Sequence, residues 1–107
     1  MAEAGAQRQF IYKLEATRLE MLTVGPTPDE MRIVEEHSNY LKDLAEKGVV
    51  TLAGRTLNNE ATTFGIVILS AADEAAAHAI MNRDPFVRNG LMRATLFPFR
   101  IAYAATR

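Results

Sequence analysis

Two side chains in this sequence are equipped for acid–base chemistry together. One is His37; the other is Asp84, in the segment Asn82-Arg83-Asp84-Pro85-Phe86-Val87-Arg88-Asn89-Gly90. A carboxylate that accepts one imidazole N–H fixes the ring tautomer and leaves the other nitrogen to take or give a proton. It also stabilises the imidazolium that results. An activated carbon acid or a phenol is the natural substrate class for such a pair. Each residue also has a plain structural role open to it. A histidine on an amphipathic helix can be a packed, hydrogen-bonded core residue. Asp84 before Pro85 reads as the N-cap of a short helical turn, with proline suited to the first helical position. Gly90 fits the left-handed position that ends the turn. What separates the two readings is whether the fold brings His37 and Asp84 into one pocket.

Further residues are candidates for substrate binding. Tyr12 and Tyr40 can donate hydrogen bonds, although both also suit amphipathic packing. Arg55 can hold an anion, as can Arg93 and Arg100, and Phe86 shares the segment of Asp84. Other chemistries find no support. The chain has no cysteine, which excludes disulfides and thiolate metal sites. His37 and His78 stand at unrelated spacing, so no metal is expected. Neither a Gly-rich phosphate loop nor a serine-nucleophile motif is present, and no cofactor is expected.

The elements that must position these groups can be read in order. Phe10 to Glu15 alternates apolar and polar residues and predicts a first strand. Ala16 to Pro26 has no clean period; a connection this long often serves as a lid or binding loop. Thr27-Pro28-Asp29-Glu30 opens a helix with a capping box and proline at the first position, and Gly48 ends it after Lys47. Val34, Leu41, Leu44 and Ala45 form its apolar stripe, with His37 inside the stripe and Tyr40 on its flank. Val49 to Leu57 predicts a second strand, with Val50 and Leu52 on one face. A turn at Asn58-Asn59-Glu60 leads to a third strand, Thr62 to Leu69, as a hairpin. Ser70 is expected to cap a second helix over Ala71 to Met81, with Asp73 and Glu74 in its first turn. Met92 to Arg100 predicts a fourth strand, and Pro98 suggests an edge position.

The result is an α+β chain of order βαββαβ, the ferredoxin-like split βαβ pattern. Its four-stranded antiparallel sheet carries two helices on one face. At 107 residues this is one domain, 1–107, with residues 1–8 read as a loose N-terminal tail. Net charge is −1 with Lys and Arg scattered, which argues against nucleic acid. The longest apolar run, Phe64 to Leu69, is far too short for a membrane span. The N-terminus lacks a secretory pattern, and a cytoplasmic protein is expected. The third strand is apolar on both faces, yet two helices cover only one. Two chains packing sheet against sheet as a homodimer are therefore expected.

Several segments carry a family likeness: His37-Ser38-Asn39-Tyr40-Leu41 with Leu44 and Gly48, then Gly54, the Asn82 to Leu91 segment, and Phe97-Pro98-Phe99-Arg100. With these, roughly residues 9 to 101 resemble the YciI-like family of the dimeric α/β barrel superfamily. The resemblance implies a dimer and an active-site dyad that maps onto His37 and Asp84. A related enzyme type eliminates chloride from a chlorinated hydroxyquinone. Family members often carry an arginine three residues before the histidine, where this chain has Val34. The expected function is a small-molecule enzyme, lyase- or isomerase-like, that moves a proton or eliminates a group on an activated, aromatic-type substrate. The alternatives are a non-catalytic small-molecule-binding or accessory module, and an interaction protein whose Asp84 turn is purely structural.

Overall fold

The first strand, β1 (Arg8–Ala16), buries Phe10, Tyr12 and Leu14 on one face and leaves Ile11, Lys13 and Glu15 half-buried on the other, as the alternation predicts. A computed structural model of the chain describes residues 7–106. Of the tail expected over residues 1–8, residues 1–6 lie outside the described residues, and Arg8 already pairs with Ala71 in the sheet. The long connection after β1 is not without structure. It contains one helical turn, α1 (Glu20–Thr23), which buries Met21.

The long helix α2 (Pro28–Glu46) starts on the expected capping box: the Thr27 side chain accepts from the Glu30 N–H, and the Glu30 carboxylate accepts from the Thr27 N–H. After it, Gly48 takes the left-handed conformation, with φ 78°. The buried residue of α2 is Ile33, with Val34, Leu41 and Leu44 packed more loosely against the core. The stripe therefore begins one residue earlier than the sequence reading placed it. From Ile33 it steps by four to His37, by four to Leu41 and by three to Leu44, so the imidazole lies on the buried line itself.

Strands β2 (Val50–Arg55) and β3 (Gly65–Ala71) form the expected hairpin, with two corrections. Val50 pairs with Leu69 and Leu52 with Ile68, so Thr51 is an extra residue, a β-bulge. Val50 and Leu52 consequently face opposite ways: Val50 is buried, whereas Leu52 is half exposed. The connecting loop is also longer than a tight turn. Thr56 N–H reaches Phe64 O, Asn58 binds Thr62, and Thr63 binds Asn58 O, so β3 starts only at Gly65. The next helix, α3 (Glu74–Arg83), is capped by Asp73, whose side chain accepts from Ala76 N–H at 2.8 Å. Ser70 is not its cap, because that residue still pairs with Gln9 inside β3. The short helix α4 (Pro85–Arg88) begins on Asp84 and Pro85 as expected and is followed by Gly90 at φ 74°. The last strand is β4 (Met92–Phe99).

All strand pairs are antiparallel, in the order β2-β3-β1-β4, so β4 with Pro98 is an edge. The core lies where Phe10, Tyr12, Leu14, Val67 and Leu69 of the sheet meet Ile33, Ala77, Met81 and Phe86 of the helices. Among the described residues no helix covers the opposite sheet face. By register it carries Ile11, Ile66, Ile68, Leu52, Phe97 and Phe99, of which Phe97 is 48% exposed. Among the described residues no helix is long and apolar enough to cross a membrane. Because Ile33 anchors the helix that carries His37, Ile33→Ala is expected to lower stability by roughly 2–5 kcal/mol. Urea unfolding at an unchanged m-value would check this.

Candidate active site

Asp84 sits where α3 hands over to α4. Its N–H closes α3 on Met81 O, and its side chain caps α4. The residue has no exposure to solvent, so its oxygens must find donors within the protein. Three converge on it, two of them from distant parts of the chain. Phe86 N–H donates to Oδ1 at 3.0 Å, the Tyr12 hydroxyl to Oδ2 at 2.7 Å, and His37 Nδ1 lies 2.6 Å from Oδ1. An ionised carboxylate only accepts, and so selects the tautomer with the proton on Nδ1 and the lone pair on Nε2. The His37 ring stacks on Phe86, with centroids 3.7 Å apart and planes inclined by 18°. Asp84 thus fixes the direction of the imidazole and Phe86 fixes its plane.

Beside His37 is a cavity of about 440 Å³ between α2 and the helix-facing side of the sheet. This is within the range of small-molecule sites, about 300–1,000 Å³. Its walls are mainly apolar, with Leu14, Val34, Leu41, Val67 and Met92 among them, and its polar groups are His37, Ser38, Arg55 and Thr63. Nε2 of His37 has no partner among the described residues, and it is the ring nitrogen left for a ligand.

The segment before α2 closes one side. Met21, Leu22 and Pro26 line the cavity, and the start of the segment is tied both to the α4 turn and to the first turn of α2. Thr17 binds the α4 turn through Gly90 O and Leu91 O. Arg18 makes a two-point contact to Glu30, through Nε at 2.8 Å and Nη2 at 2.5 Å. The Arg18 hydrogen bond, followed by that from the Thr27 N–H, pulls the Glu30 carboxyl down to about 2. The stretch whose length suggested a lid or binding loop thus forms a short wall of the cavity, pinned by an ion pair.

The sequence-predicted residues fall into two groups. His37 and Asp84 meet, and Phe86 and Arg55 join His37 on the cavity wall. Tyr12 lies behind Asp84, and neither tyrosine lines the cavity. Burial, followed by the Asp84 charge, pushes the Tyr12 phenol far above its ordinary range, so it is a standing donor. The Tyr40 hydroxyl donates to Ile80 O at 2.7 Å and ties α2 to α3; its phenol is also pushed up by burial and by Asp84. Arg93 pairs with Glu15 on the helix-free face, away from the site. Sequence reasoning assigned no role at the site to Thr63 or Gly65. Both became visible only through the loop closure and strand register.

With this geometry in view, comparison with known proteins is informative. A model of the YCII-related domain matches residues 11–100, from β1 to the end of β4. The chain belongs to that family. Among solved structures, this YCII-related domain is similar to 5-chloro-2-hydroxyhydroquinone dehydrochlorinase from Burkholderia phenoliruptrix in complex with 2,5-dihydroxybenzoquinone. The TM-score is 0.60 at 20% identity, over 85% of this chain and 93% of that one. An uncharacterised protein from Thermotoga maritima, TM1266, gives a TM-score of 0.57 at 13% identity, over 88% and 99%. At these identities the likeness establishes the shared ferredoxin-like fold. Among curated proteins, no sequence matches.

The state of Tyr12 gives a pH prediction. Its folded pKa is raised above the unfolded value of 10.0, so its contribution is fully present below pH 10. Above that, the unfolded chain releases the phenol proton while the folded chain keeps it, and stability falls as pH rises. Tyr12→Phe is expected to cost roughly 1.5–3 kcal/mol at neutral pH, because a buried carboxylate oxygen loses its donor. Denaturant melts between pH 7 and 11 should show a shallower alkaline loss in the variant than in the wild type.

Proposed function

We propose that the protein is a cytoplasmic, homodimeric enzyme that moves a proton on an activated small molecule, with His37 as base and acid and Asp84 orienting it. The observation that carries this reading is the 2.6 Å contact between His37 Nδ1 and a fully buried Asp84, beside a cavity that His37 lines. A substrate proton on carbon or oxygen passes to Nε2, and the imidazolium is stabilised by Asp84 through Nδ1–H. Tyr12 is a positioning residue. By holding Oδ2 it keeps the carboxylate from rotating away from the imidazole. The electron pair left on the substrate then has two outcomes. It can form a double bond as a leaving group departs, which is an elimination. Alternatively, His37 returns the proton at another atom, which is an isomerisation. The dehydrochlorinase activity of the structural relative from Burkholderia phenoliruptrix supports elimination on a ring substrate as the first case to test.

Phe86 holds the imidazole plane by stacking. The mainly apolar walls favour ligands with a flat hydrocarbon body. Turnover of hydroxy- and chloro-hydroxy-aromatic compounds should fall by about 10²–10⁴ in His37→Ala. Asp84→Asn, which offers an amide to Nδ1, is expected to fall strongly as well. Equal turnover by wild type and His37→Ala would end the catalytic reading. Saturable binding of compounds that emerge unchanged would favour the accessory-module alternative.

The dimer part of the proposal rests on the helix-free sheet face. Leu52, Phe97 and Phe99 are exposed there beside the half-buried Ile11 and Ile66 and the buried Ile68, an apolar patch of a kind that monomers seldom leave to water. A two-fold packing of this face on its copy buries it self-complementarily. Light scattering at micromolar concentration is expected to give the mass of two chains, and Phe97→Lys the mass of one. A wild-type monomer would refute the assembly.

A further inference from the structure

Among the described residues, Arg55 is the one formally charged side chain on the cavity wall, and no carboxylate lines the cavity with it. Its place there follows from register. Arg55 pairs with Gly65, and Gly65 pairs on its other side with Leu14, so all three share the helix-facing side of the sheet. Among the described residues the guanidinium makes hydrogen bonds only to neutral acceptors. Nε donates to Thr56 O at 2.8 Å and Nη2 to Asn59 Oδ1. Nη1 has no partner among the described residues, and with the second N–H of Nη2 it presents an open two-pronged edge, the geometry that matches a carboxylate.

The neighbouring residue makes room for what would bind. Gly65 stands between Leu14 and Arg55, and a Cβ there would lie 3.3 Å from Gly54 O, 3.8 Å from Leu14 Cβ and 3.9 Å from Arg55 Cβ. The absent side chain leaves a flat floor beside the cation. Glycine weakens a strand, and within a sheet it often marks a place where a ligand comes close to the backbone. Ser38, next to His37 on α2, adds a wall hydroxyl with no partner among the described residues.

We propose that this end of the cavity is a carboxylate subsite. The substrate is a planar aromatic or conjugated carboxylate whose acid group docks on Arg55, whose ring lies over Gly65, and whose labile proton faces His37. This deepens the acid–base reading above and rests on the cavity being its substrate site. The subsite is nevertheless tested by affinity alone. Titration calorimetry at pH 7.5 with 2,5-dihydroxybenzoate and its methyl ester compares the same ring with and without the anion. Wild type is expected to bind the acid at least about tenfold more tightly than the ester, the factor that a charge-assisted arginine contact supplies. Arg55→Gln, on an exposed edge-strand side chain, should fold normally by circular dichroism and lose that preference, whereas His37→Ala should keep it. Equal affinity of wild type for acid and ester, or no binding of either at millimolar concentration, overturns the subsite. So does a preference that survives Arg55→Gln, or one that vanishes in His37→Ala and so belongs to the imidazole. If the preference follows Arg55 while no ring compound is turned over, the subsite stands and the catalytic reading falls.

Discussion

A carboxylate with no contact to water must be surrounded by donors, and at Asp84 that requirement organises much of the molecule. The donors come from the centre of β1, the middle of α2 and the first turn of α4. No two of these can be misplaced without leaving a buried oxygen unpaired, a loss of order 1–3 kcal/mol in a domain whose whole stability is of order 5–15. The same demand that fixes the core therefore fixes the imidazole. Core and candidate site share one hydrogen-bonded hub, and the hub draws its members from 72 residues of sequence separation.

Much of this was legible in the sequence where the signal was local. The capping box at Thr27 and Glu30, the Asp-Pro start of α4 and the left-handed Gly90 depend only on neighbours along the chain, and each was read correctly. His37 was visible because helical periodicity places it among apolar residues. The meeting of His37 with Asp84 was expected from the family resemblance and the apolar stripe, since no local rule links residues 47 apart.

What could not be read depended on register and competition. Ser70 and Asp73 are both acceptable caps, and the choice went to Asp73 because β3 continues through Ser70 to pair with β1. Tyr12 was placed among substrate contacts because alternation shows only that it points inward. Whether an inward tyrosine meets a ligand or a carboxylate is decided by what α3 and α4 lay over it. Tyr40, on the flank of the stripe, met a carbonyl of the neighbouring helix. In each case the residue type allowed several partners and the tertiary fold selected one.

The extra residue in β2 has a consequence beyond the geometry of one edge strand. Side chains alternate along a strand, so one inserted residue reverses the parity of everything that follows. If β2 ran regularly from Val50 with this same sequence, Leu52 would turn inward and the guanidinium two positions past Ala53 would swing out to the helix-free side. The irregularity at Thr51 thus exchanges a hydrocarbon for a cation on the inner wall. The chemical character of the chamber is set there by a count of residues, before any question of which residues they are.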